Sequence, residues 1–236
     1  MTITQERSLA DRPSVDPFLR RAVSARRVYV VAADARIASS PSRLFRGREV
    51  ALLCSEPEFA LCWAAVHNDT ASVQEVSLAE LLADRLPALG LQRRMVGLDW
   101  AGEEAGEPEL DPRDLAERLR LEMLESFLSR AVIFGALWTL CDVYGLVQLS
   151  SQTSPGHLVL PCWSDERQAA SRIDGDWSEA VAMRIRMDDF VTKTLPGLAE
   201  VGTLIAPEHM AGPGAIEIDA ADLRLRIGAR RVTGLV

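Results

Sequence analysis

The sequence predicts an α+β fold made of two tandem repeats, each a small, largely antiparallel sheet with helices, joined by one long helix. Three observations predict this fold. First, residues 18–23 (FLRRAV) and residues 127–132 (FLSRAV) differ at one position and lie 109 positions apart (127 − 18). Second, several strand patterns precede each main helical pattern, an order typical of α+β proteins. Third, a helical pattern without a breaker connects the two repeats.

The repeat extends over nearly the whole of each half, so one plan is expected for both. At the same offset Gly47 pairs with Gly156, and residues 86–89 (LPAL) pair with residues 195–198 (LPGL) without a gap. Two unrelated domains with similar helices are the alternative, because short apolar motifs recur by accident. The repeat predicts a flexible leader at 1–17, a first repeat unit at 18–110, a connecting helix at 111–135 and a second repeat unit at 136–236.

The first unit opens with a helix followed by a hairpin. Apolar residues within 18–27 recur on one face of a helix, and the β-branched run 28–32 predicts a strand. The segment 39–48 (SSPSRLFRGR) is rich in turn residues and suits a hairpin loop. Residues 49–54 are therefore expected to return as a strand.

Two capping boxes predict the next helices. Residues 55–58 (SEPE) and 77–80 (SLAE) both have the pattern in which a serine caps the first turn and a glutamate reaches back to it. We expect the second of these helices to stop at Pro87, because proline lacks the backbone donor and disfavours helical geometry in the residue before it. Residues 94–100 then predict a strand.

A long helix is predicted between the two units. Asp111 and Pro112 form a good helix start, with an aspartate cap and a proline in the first helical position. Apolar residues then recur at helical spacing, with no breaker before Gly135. The pattern predicts one helix from about 112 to 134, with an apolar stripe of Leu115, Leu119, Met123, Phe127 and Ala131.

The second unit repeats this plan. Strands are expected at 137–141, 146–150, 157–162 and 181–185, with shorter ones at 203–206 and 215–218. Ser164 is expected to cap a helix that ends near Ile173. A helix over 188–195 is expected to stop at Pro196, and a last helix covers 220–226.

Composition limits the classes of function. The net charge is −8, whereas a general nucleic-acid binder usually carries a basic face, so nucleic acid is not an expected partner. No apolar run approaches the ~20 residues of a membrane helix, and the polar N-terminus has no signal segment. We therefore interpret Cys54, Cys62, Cys141 and Cys162 as reduced, buried thiols and expect the protein in the cytoplasm.

A search for catalytic patterns leaves no strong candidate. The sequence has no phosphate-binding loop, zinc-protease motif or serine-nucleophile motif, and its histidines are isolated. Cys162 beside Trp163 would need a base to become a nucleophile. His157 lies five residues away (162 − 157) along a strand, hence on the opposite face. A buried structural cysteine is the favoured interpretation, so we expect no catalytic residue, no cofactor and no metal.

The arginines of the first hairpin loop are the strongest candidate for a binding surface. They could bind an anionic ligand or an acidic patch on a partner. The matching loop of the second unit is uncharged and rich in serine and threonine, and binding is expected where loops diverge on a shared framework. A solvated arginine-rich loop is the alternative. The predicted interaction surface comprises Arg43, Arg46, Arg48, His157 and Trp163.

One set of residues in the second unit resembles a known family. The set comprises residues 137–140 (LWTL), Gly145, residues 160–163 (LPCW), Phe190, residues 195–198 (LPGL) and residues 222–223 (DL). In this order they resemble a bacterial family catalogued as domain of unknown function 2750, although Leu146 and Ser164 stand where the family tends to have tryptophan and proline. The first unit is similar to a diverged copy, with Arg36 in place of Gly145 and residues 52–54 (LLC) in place of Pro-x-Trp. The resemblance implies the fold and a bacterial origin, and no activity.

The leading functional hypothesis is a non-catalytic, cytosolic bacterial protein-interaction module. Small acidic α+β proteins without catalytic residues include the immunity proteins that neutralise toxins, and this is the specific form of the hypothesis. We expect a protein partner, no nucleic acid and no membrane. The alternative is an enzyme or small-ligand sensor with a pocket between the two units, using Cys162, His157 and Trp163.

Overall fold

The computed structural model describes residues 15–33, 36–67, 72–100, 108–173, 177–210 and 214–233. The chain divides into two compact units, residues 1–119 and residues 120–236. Most of the predicted leader, residues 1–14, lies outside the described residues. The first described helix begins at Asp16, within the range predicted for the leader.

The first unit contains one mixed sheet. Its elements are α1 (Asp16–Ala25), β1 (Arg27–Ala33), β2 (Arg36–Ile37), β3 (Ser39–Pro41), β4 (Glu49–Cys54), α2 (Pro57–His67), β5 (Ser72–Ser77), α3 (Leu78–Glu80), a π-helical turn (Leu81–Arg85), α4 (Leu86–Leu91), β6 (Met95–Leu98) and β7 (Glu109–Leu110). The strand order is β2-β1-β4-β6-β7, with β5 paired to β1 and β3 paired to β4. All pairs are antiparallel except β4 with β6, in which Val50 lies opposite Met95. A parallel pair needs a long crossover, and the segment from α2 to α4 provides it.

The second unit repeats this arrangement. Its elements are β8 (Ala136–Asp142), β9 (Gly145–Leu146), β10 (Leu149–Ser150), β11 (Leu158–Cys162), α6 (Glu166–Ala170), β12 (Val181–Arg186), α7 (Met187–Asp189), a π-helical turn (Phe190–Thr194), α8 (Leu195–Glu200), β13 (Leu204–Pro207) and α9 (Ala220–Thr233). The strands β12-β8-β9 and β10-β11-β13 form two small sheets, and β11 and β13 are again the parallel pair. Reciprocal backbone hydrogen bonds of 2.8 Å between Trp138 and Trp163 connect the two sheets. The predicted α+β fold with two tandem, largely antiparallel repeats is confirmed.

The long helix α5 covers Pro112–Phe134, as the apolar spacing predicted. Asp111 caps it, because its carboxylate accepts a hydrogen bond of 2.9 Å from the backbone N–H of Arg113. Gly135 follows the last turn with φ of +61°, a left-handed conformation that glycine adopts without steric cost. The local signals at both ends are therefore sufficient to define this helix.

The prediction that Pro87 and Pro196 end their helices is wrong. Both helices continue through the proline, and in each a π-helical turn ends two residues before it. The backbone N–H of Leu86 donates to the carbonyl of Leu81, and that of Leu195 donates to Phe190, five residues back. Proline breaks an α-helix because it removes a donor and contacts the carbonyl four residues back. A π-helical turn has already displaced that pattern of bonds, so the helix accommodates the ring.

The three predicted serine caps have different outcomes. Ser77 accepts a hydrogen bond of 3.1 Å from the backbone N–H of Glu80 and caps its helix as predicted. Helix α2 begins at Pro57, so Ser55 is not its cap. Asp165, rather than Ser164, caps α6 by accepting from the backbone N–H of Arg167. Ser55 and Ser164 are instead bound to carboxylates far along the chain.

The second unit has a core on each side of its sheets. On one side α5, α8 and α9 pack on the strands through residues that include Phe127, Leu160, Phe190, Ile205 and Leu223. On the other side a smaller cluster forms around Leu140, Trp163 and Ala169. The matching cluster of the first unit includes Val31, Cys54, Ala60 and Trp100.

The cysteines are not all buried as predicted. Cys54 and Cys162 are fully buried, Cys141 is half-buried and Cys62 is exposed. Cys62 lies on the outer face of α2 because Trp63 and Ala64 occupy the inner face. Within the described residues, no helix combines the length and apolar character needed to cross a membrane.

Candidate functional site

In the first unit an arginine, a serine and an aspartate from distant parts of the chain converge. The guanidinium of Arg21 on α1 donates to Asp99 Oδ2 at 2.7 Å. Ser55, after β4, donates to the same carboxylate through its backbone N–H at 2.6 Å and its hydroxyl at 2.8 Å. Asp99 follows β6 with φ of +52°, a conformation that a short polar side chain tolerates. The three residues connect α1 to the ends of two central strands.

The second unit has the same cluster at equivalent positions. Arg130 donates to Glu208 Oε1 at 3.2 Å, and the backbone N–H and hydroxyl of Ser164 donate to the same oxygen. Glu208 also has a positive φ, of +51°, and is 2% exposed. Burial of a carboxylate is costly unless a cation and hydrogen-bond donors compensate it, and this cluster supplies both.

These clusters have the chemistry of structural connections rather than of a catalytic centre. Ser55 and Ser164 are both buried, and each hydroxyl donates to a carboxylate that also pairs with an arginine. A nucleophilic serine needs a base that can take its proton and a space beside it for substrate. Within the described part of the chain, no group of three or more His, Cys, Asp or Glu side chains could hold a metal ion.

A second carboxylate anchors the first hairpin loop, residues 42–48, which we name the arginine loop. Glu109 is buried and accepts hydrogen bonds from the hydroxyl of Ser42 at 2.5 Å and the backbone N–H of Arg43 at 2.8 Å. The Ser42 hydroxyl in turn accepts from the backbone N–H of Phe45 at 2.8 Å. Gly47 has φ of +78°, which lets the chain turn back into β4. The loop therefore has a defined backbone conformation.

The matching loop of the second unit, residues 151–157, is named the sister loop and has the same anchor. Glu217 accepts from the hydroxyl of Ser151, the backbone N–H of Gln152 at 2.8 Å, and both the backbone N–H and the hydroxyl of Thr153. Burial alone would raise the pKa of Glu217, but these hydrogen bonds stabilise the carboxylate and lower its pKa overall. The anchor is thus a property of both repeats.

The two loops differ in the side chains that they present. In the arginine loop the guanidinium of Arg43 lies 4.9 Å from the centre of the Trp100 ring, and that of Arg48 lies 5.6 Å from the Phe45 ring. Leu44 is 64% exposed and Phe45 is 42% exposed, and Arg46 is exposed as well. The loop presents cations together with apolar side chains, a mixture that is common at protein interfaces.

Two predicted surface residues belong to the second unit. His157 is exposed at the position of Arg48, and its Nδ1 lies 3.0 Å from the carbonyl oxygen of Gly202. Trp163 is fully buried and donates through Nε1 to the carbonyl of His209 at 3.2 Å. The prediction that Trp163 lies on a surface is therefore corrected, because this side chain fills the core of its unit.

Cys162 has the environment of an inert thiol. Its side chain is fully buried in the core that contains Leu160 and Phe190. Burial, and then the charge of Glu208, raise the pKa of Cys162 far above its usual value. Because the thiolate is the nucleophilic form, the geometry gives no support to the interpretation of Cys162 as a reactive cysteine.

His209 is a buried titratable group next to Trp163. Its ring packs edge-to-face against Trp163, with 6.2 Å between ring centres. Nδ1 has no hydrogen-bond partner among the residues that the structure describes. Burial, and then the charge of Arg172, lower the pKa of His209 to about 4, while Glu217 opposes the shift. The ring is therefore neutral at pH 7.

Sequence reasoning missed the arginine–serine–acid clusters, although a signal was present. Arg21 and Arg130 occupy the same place in the repeated hexad, and Ser55 pairs with Ser164 at the offset of 109. The same offset pairs Asp99 with Glu208, but these two acids differ in length. A comparison of the two copies could have identified three positions that stay polar in both. It could not have shown that the three side chains are in contact.

Comparisons with known proteins give one family match. The family described as "Protein of unknown function (DUF2750)" matches residues 15–119 and again residues 124–227, which confirms the resemblance and the tandem copy. No curated protein matches the sequence. Similar solved structures include Anabaena Tic22, a protein-transport protein, with 12% identity, a TM-score of 0.25, and coverage of 78% of this chain and 87% of that chain. Tic22 from Plasmodium falciparum has 10% identity, a TM-score of 0.23, and coverage of 74% and 86%. TM-scores this low carry no argument about fold or function.

Proposed function

The chain belongs to the DUF2750 family of proteins of unknown function, and from this premise we propose that it is a non-catalytic protein-interaction module. The arginine loop is its contact surface in this proposal. The observation that carries it is the contrast between the two hairpin loops, which share a carboxylate anchor and differ in their exposed side chains.

The anchor supports a role for the loop beyond folding. Glu109 and Glu217 hold the two loops with the same kind of hydrogen bonds, so the fold needs the serine and the carboxylate. The fold does not need Leu44 or Phe45, because the sister loop has Thr153 and Ser154 at these positions. Exposed apolar side chains that folding does not require are typical of binding surfaces.

The buried polar groups support the non-catalytic part of the proposal. The carboxylates of Asp99 and Glu208 are each engaged by an arginine and a serine. The thiol of Cys162 is buried and held in its protonated form by its surroundings. Each of these groups therefore has a structural role that accounts for its position.

The bacterial and cytosolic setting belongs to the same proposal, as does the immunity-like form of the function. An immunity protein would bind one toxin with defined stoichiometry. A basic toxin would be repelled by the arginine loop, so the contact through this loop favours a partner with an acidic surface.

A loop exchange tests the proposal. The loop-exchange variant carries Arg43→Gln, Leu44→Thr, Phe45→Ser and Arg46→Pro, which are the residues of the sister loop, and keeps Ser42 and Gly47. The matched control carries Arg224→Gln, Leu225→Thr and Arg226→Gln, which removes two arginines and one exposed leucine from α9. Each tagged protein is used to capture partners from lysate of its own host, and recovery is quantified by mass spectrometry.

We expect a partner that binds the wild-type protein and the α9 control in constant stoichiometry and is lost from the loop-exchange variant. Equal recovery of every partner by the loop-exchange variant would show that the arginine loop is not the contact surface. Circular dichroism and urea unfolding of all three proteins verify that the exchange preserves the fold.

A further inference from the structure

The charge of the arginine loop is opposite in sign to that of the whole chain. The chain has a net charge of −8, whereas the loop contains Arg43, Arg46 and Arg48 and no acid. Arg46 and Arg48 form no ion pair with any residue that the structure describes, in contrast to Arg21 and Arg130. A cationic loop on an acidic protein suits an anionic partner at short range.

Two of the guanidinium groups lie over aromatic rings, a position that favours recognition of carboxylates. Arg43 lies over the buried Trp100 ring and Arg48 lies over Phe45. Stacking uses the flat face of a guanidinium, whereas its N–H donors lie in the plane and match the geometry of a carboxylate. Arg48 also donates to Met95 Sδ at 3.3 Å, a weak acceptor that a carboxylate would outcompete. Part of the entropy cost of ordering these side chains is therefore already met before binding.

The apolar side chains of the loop further restrict the chemistry of the partner, which must offer apolar as well as anionic groups. Leu44 and Phe45 are among the large apolar residues that remain exposed in this protein, and both lie between arginines in the sequence. An interface typically buries apolar and aromatic anchors at its centre and places charged groups around them. A purely ionic ligand would leave both side chains in water.

We infer that the arginine loop binds an acidic protein segment that carries an aliphatic or aromatic side chain among its carboxylates. This inference rests on the proposed function and adds the chemistry of the partner. An extended polyanion, such as an anionic bilayer or a nucleic acid, would bring many charges against a chain with a net charge of −8. A short acidic segment meets the loop within about one Debye length, roughly 8 Å at physiological salt, so the remaining acids of the chain are screened.

Two fluorescein-labelled synthetic peptides test the inference with the full-length protein. The first is a glutamate-rich peptide with a central Leu-Phe pair, and the second has Ser-Ser in place of that pair. Fluorescence anisotropy measures the affinity of each peptide for the wild-type protein, the loop-exchange variant and the α9 control. Vesicles of phosphatidylcholine and phosphatidylglycerol are the membrane probe.

We expect the Leu-Phe peptide to bind the wild-type protein and the α9 control equally, and the loop-exchange variant about tenfold more weakly. The Ser-Ser peptide should bind about tenfold more weakly than the Leu-Phe peptide. Salt should weaken binding, because it screens the contacts between arginine and carboxylate. If the loop-exchange variant does not fold, Arg46→Gln replaces it, because this single change is at an exposed side chain. We expect Arg46→Gln to weaken binding about threefold.

Equal binding of the Leu-Phe peptide by the wild-type protein and the loop-exchange variant would overturn the inference. So would loop-dependent binding to the vesicles without binding to the peptide. If the exchange abolishes capture of a cellular partner but neither peptide binds, the proposed function stands and the assignment of partner chemistry fails. If the exchange leaves capture unchanged, the proposed function itself fails.

Discussion

Trp100 and His209 occupy equivalent positions in the two units, yet the cores around them are filled in opposite ways. In the first unit the large ring is Trp100, and Cys54, at the end of the neighbouring strand β4, lies in the same cluster. In the second unit the large ring is Trp163, at the position of Cys54, and it packs against His209. The two copies therefore retain one tryptophan at this place and exchange the strand that supplies it.

A third position follows the same exchange. A Cβ atom at Gly97 would lie 2.7 Å from the Trp100 ring and 2.8 Å from Val50 Cγ1, so the first unit needs glycine there. The equivalent residue of the second unit is Ala206, and the equivalent of Trp100 is His209, which has a smaller ring. The comparison shows that the two copies fill equivalent parts of their cores with different residues, and that a buried tryptophan is kept although its position in the repeat changes.

The largest expected effect on stability comes from replacing Trp163 of the second unit with cysteine, the residue at the equivalent position of the first unit. Trp163→Cys removes a fully buried ring and leaves His209 too small to fill the space. We expect the free energy of unfolding to fall by about 3–5 kcal/mol, measured by urea unfolding. Cys54→Ala, a small change at the equivalent position, is the control. A loss as small as that of the control would mean that Trp163 does not fill this core.

The next largest effect is a difference between the two arginine–serine–acid clusters in how much their carboxylates contribute to stability. Glu208→Gln removes the charge that compensates Arg130 in a buried site, and we expect a loss of about 3 kcal/mol in unfolding free energy. Asp99→Asn in the first unit should cost less, since Arg21 and Asp99 are both more exposed than their counterparts and solvent screens their charges. Equal losses in the two units would contradict the role assigned to burial.

The Gly97 position tests the exchange of the tryptophan directly. Gly97→Ala should destabilise the protein by about 2 kcal/mol, because the new methyl group overlaps Trp100 and Val50. The same substitution in a Trp100→His background should cost less, because the clash with the large ring is absent and only the overlap with Val50 remains. A double-mutant cycle by urea unfolding measures this coupling. Additive effects of the two substitutions would refute it.

Acid should weaken the second unit through His209. Its pKa is lowered from 6.5 to about 4 in the folded protein, so the unfolded chain binds the proton more readily. The contribution to stability is complete above pH 6.5 and declines as the pH falls towards about 4. Other acids titrate in the same range, so the measurement is the difference in unfolding free energy between wild type and His209→Gln at each pH. An identical pH profile for the two proteins would show that His209 does not contribute to the loss of stability in acid.

The smallest effect concerns the surface of α2. Cys62 is exposed, whereas Cys54 and Cys162 are buried, and burial, then the charge of Asp99, raise the pKa of Cys54 to about 12. We expect Cys62 to react first with iodoacetamide under native conditions, and Cys62→Ser, the residue of the second unit at this position, to leave stability unchanged. Rapid labelling of native Cys162, identified by mass spectrometry, would contradict this expectation and favour the alternative in which Cys162 is a reactive residue of an enzyme.

Local patterns predicted much of the fold and few of the contacts. The long helix from Pro112 to Phe134 was predicted because its cap, its apolar spacing and the following glycine are all local signals. The continuation of the helix through Pro87 was not, because the rule for proline assumes α-helical bonding and the chain adopts a π-helical turn instead. The arginine loop was predicted from its composition, but its anchor at Glu109 was not.

The sequence by itself determined the tandem α+β plan, since the offset of 109 and the apolar periods are both visible along the chain. Only the tertiary structure decided which polar groups meet. Ser55 resembles a helix cap in the sequence, yet it binds Asp99, which lies 44 residues away. Ser164 behaves in the same way towards Glu208. A hydrogen bond between distant residues depends on the packing of strands and helices around it, and no local pattern specifies that packing.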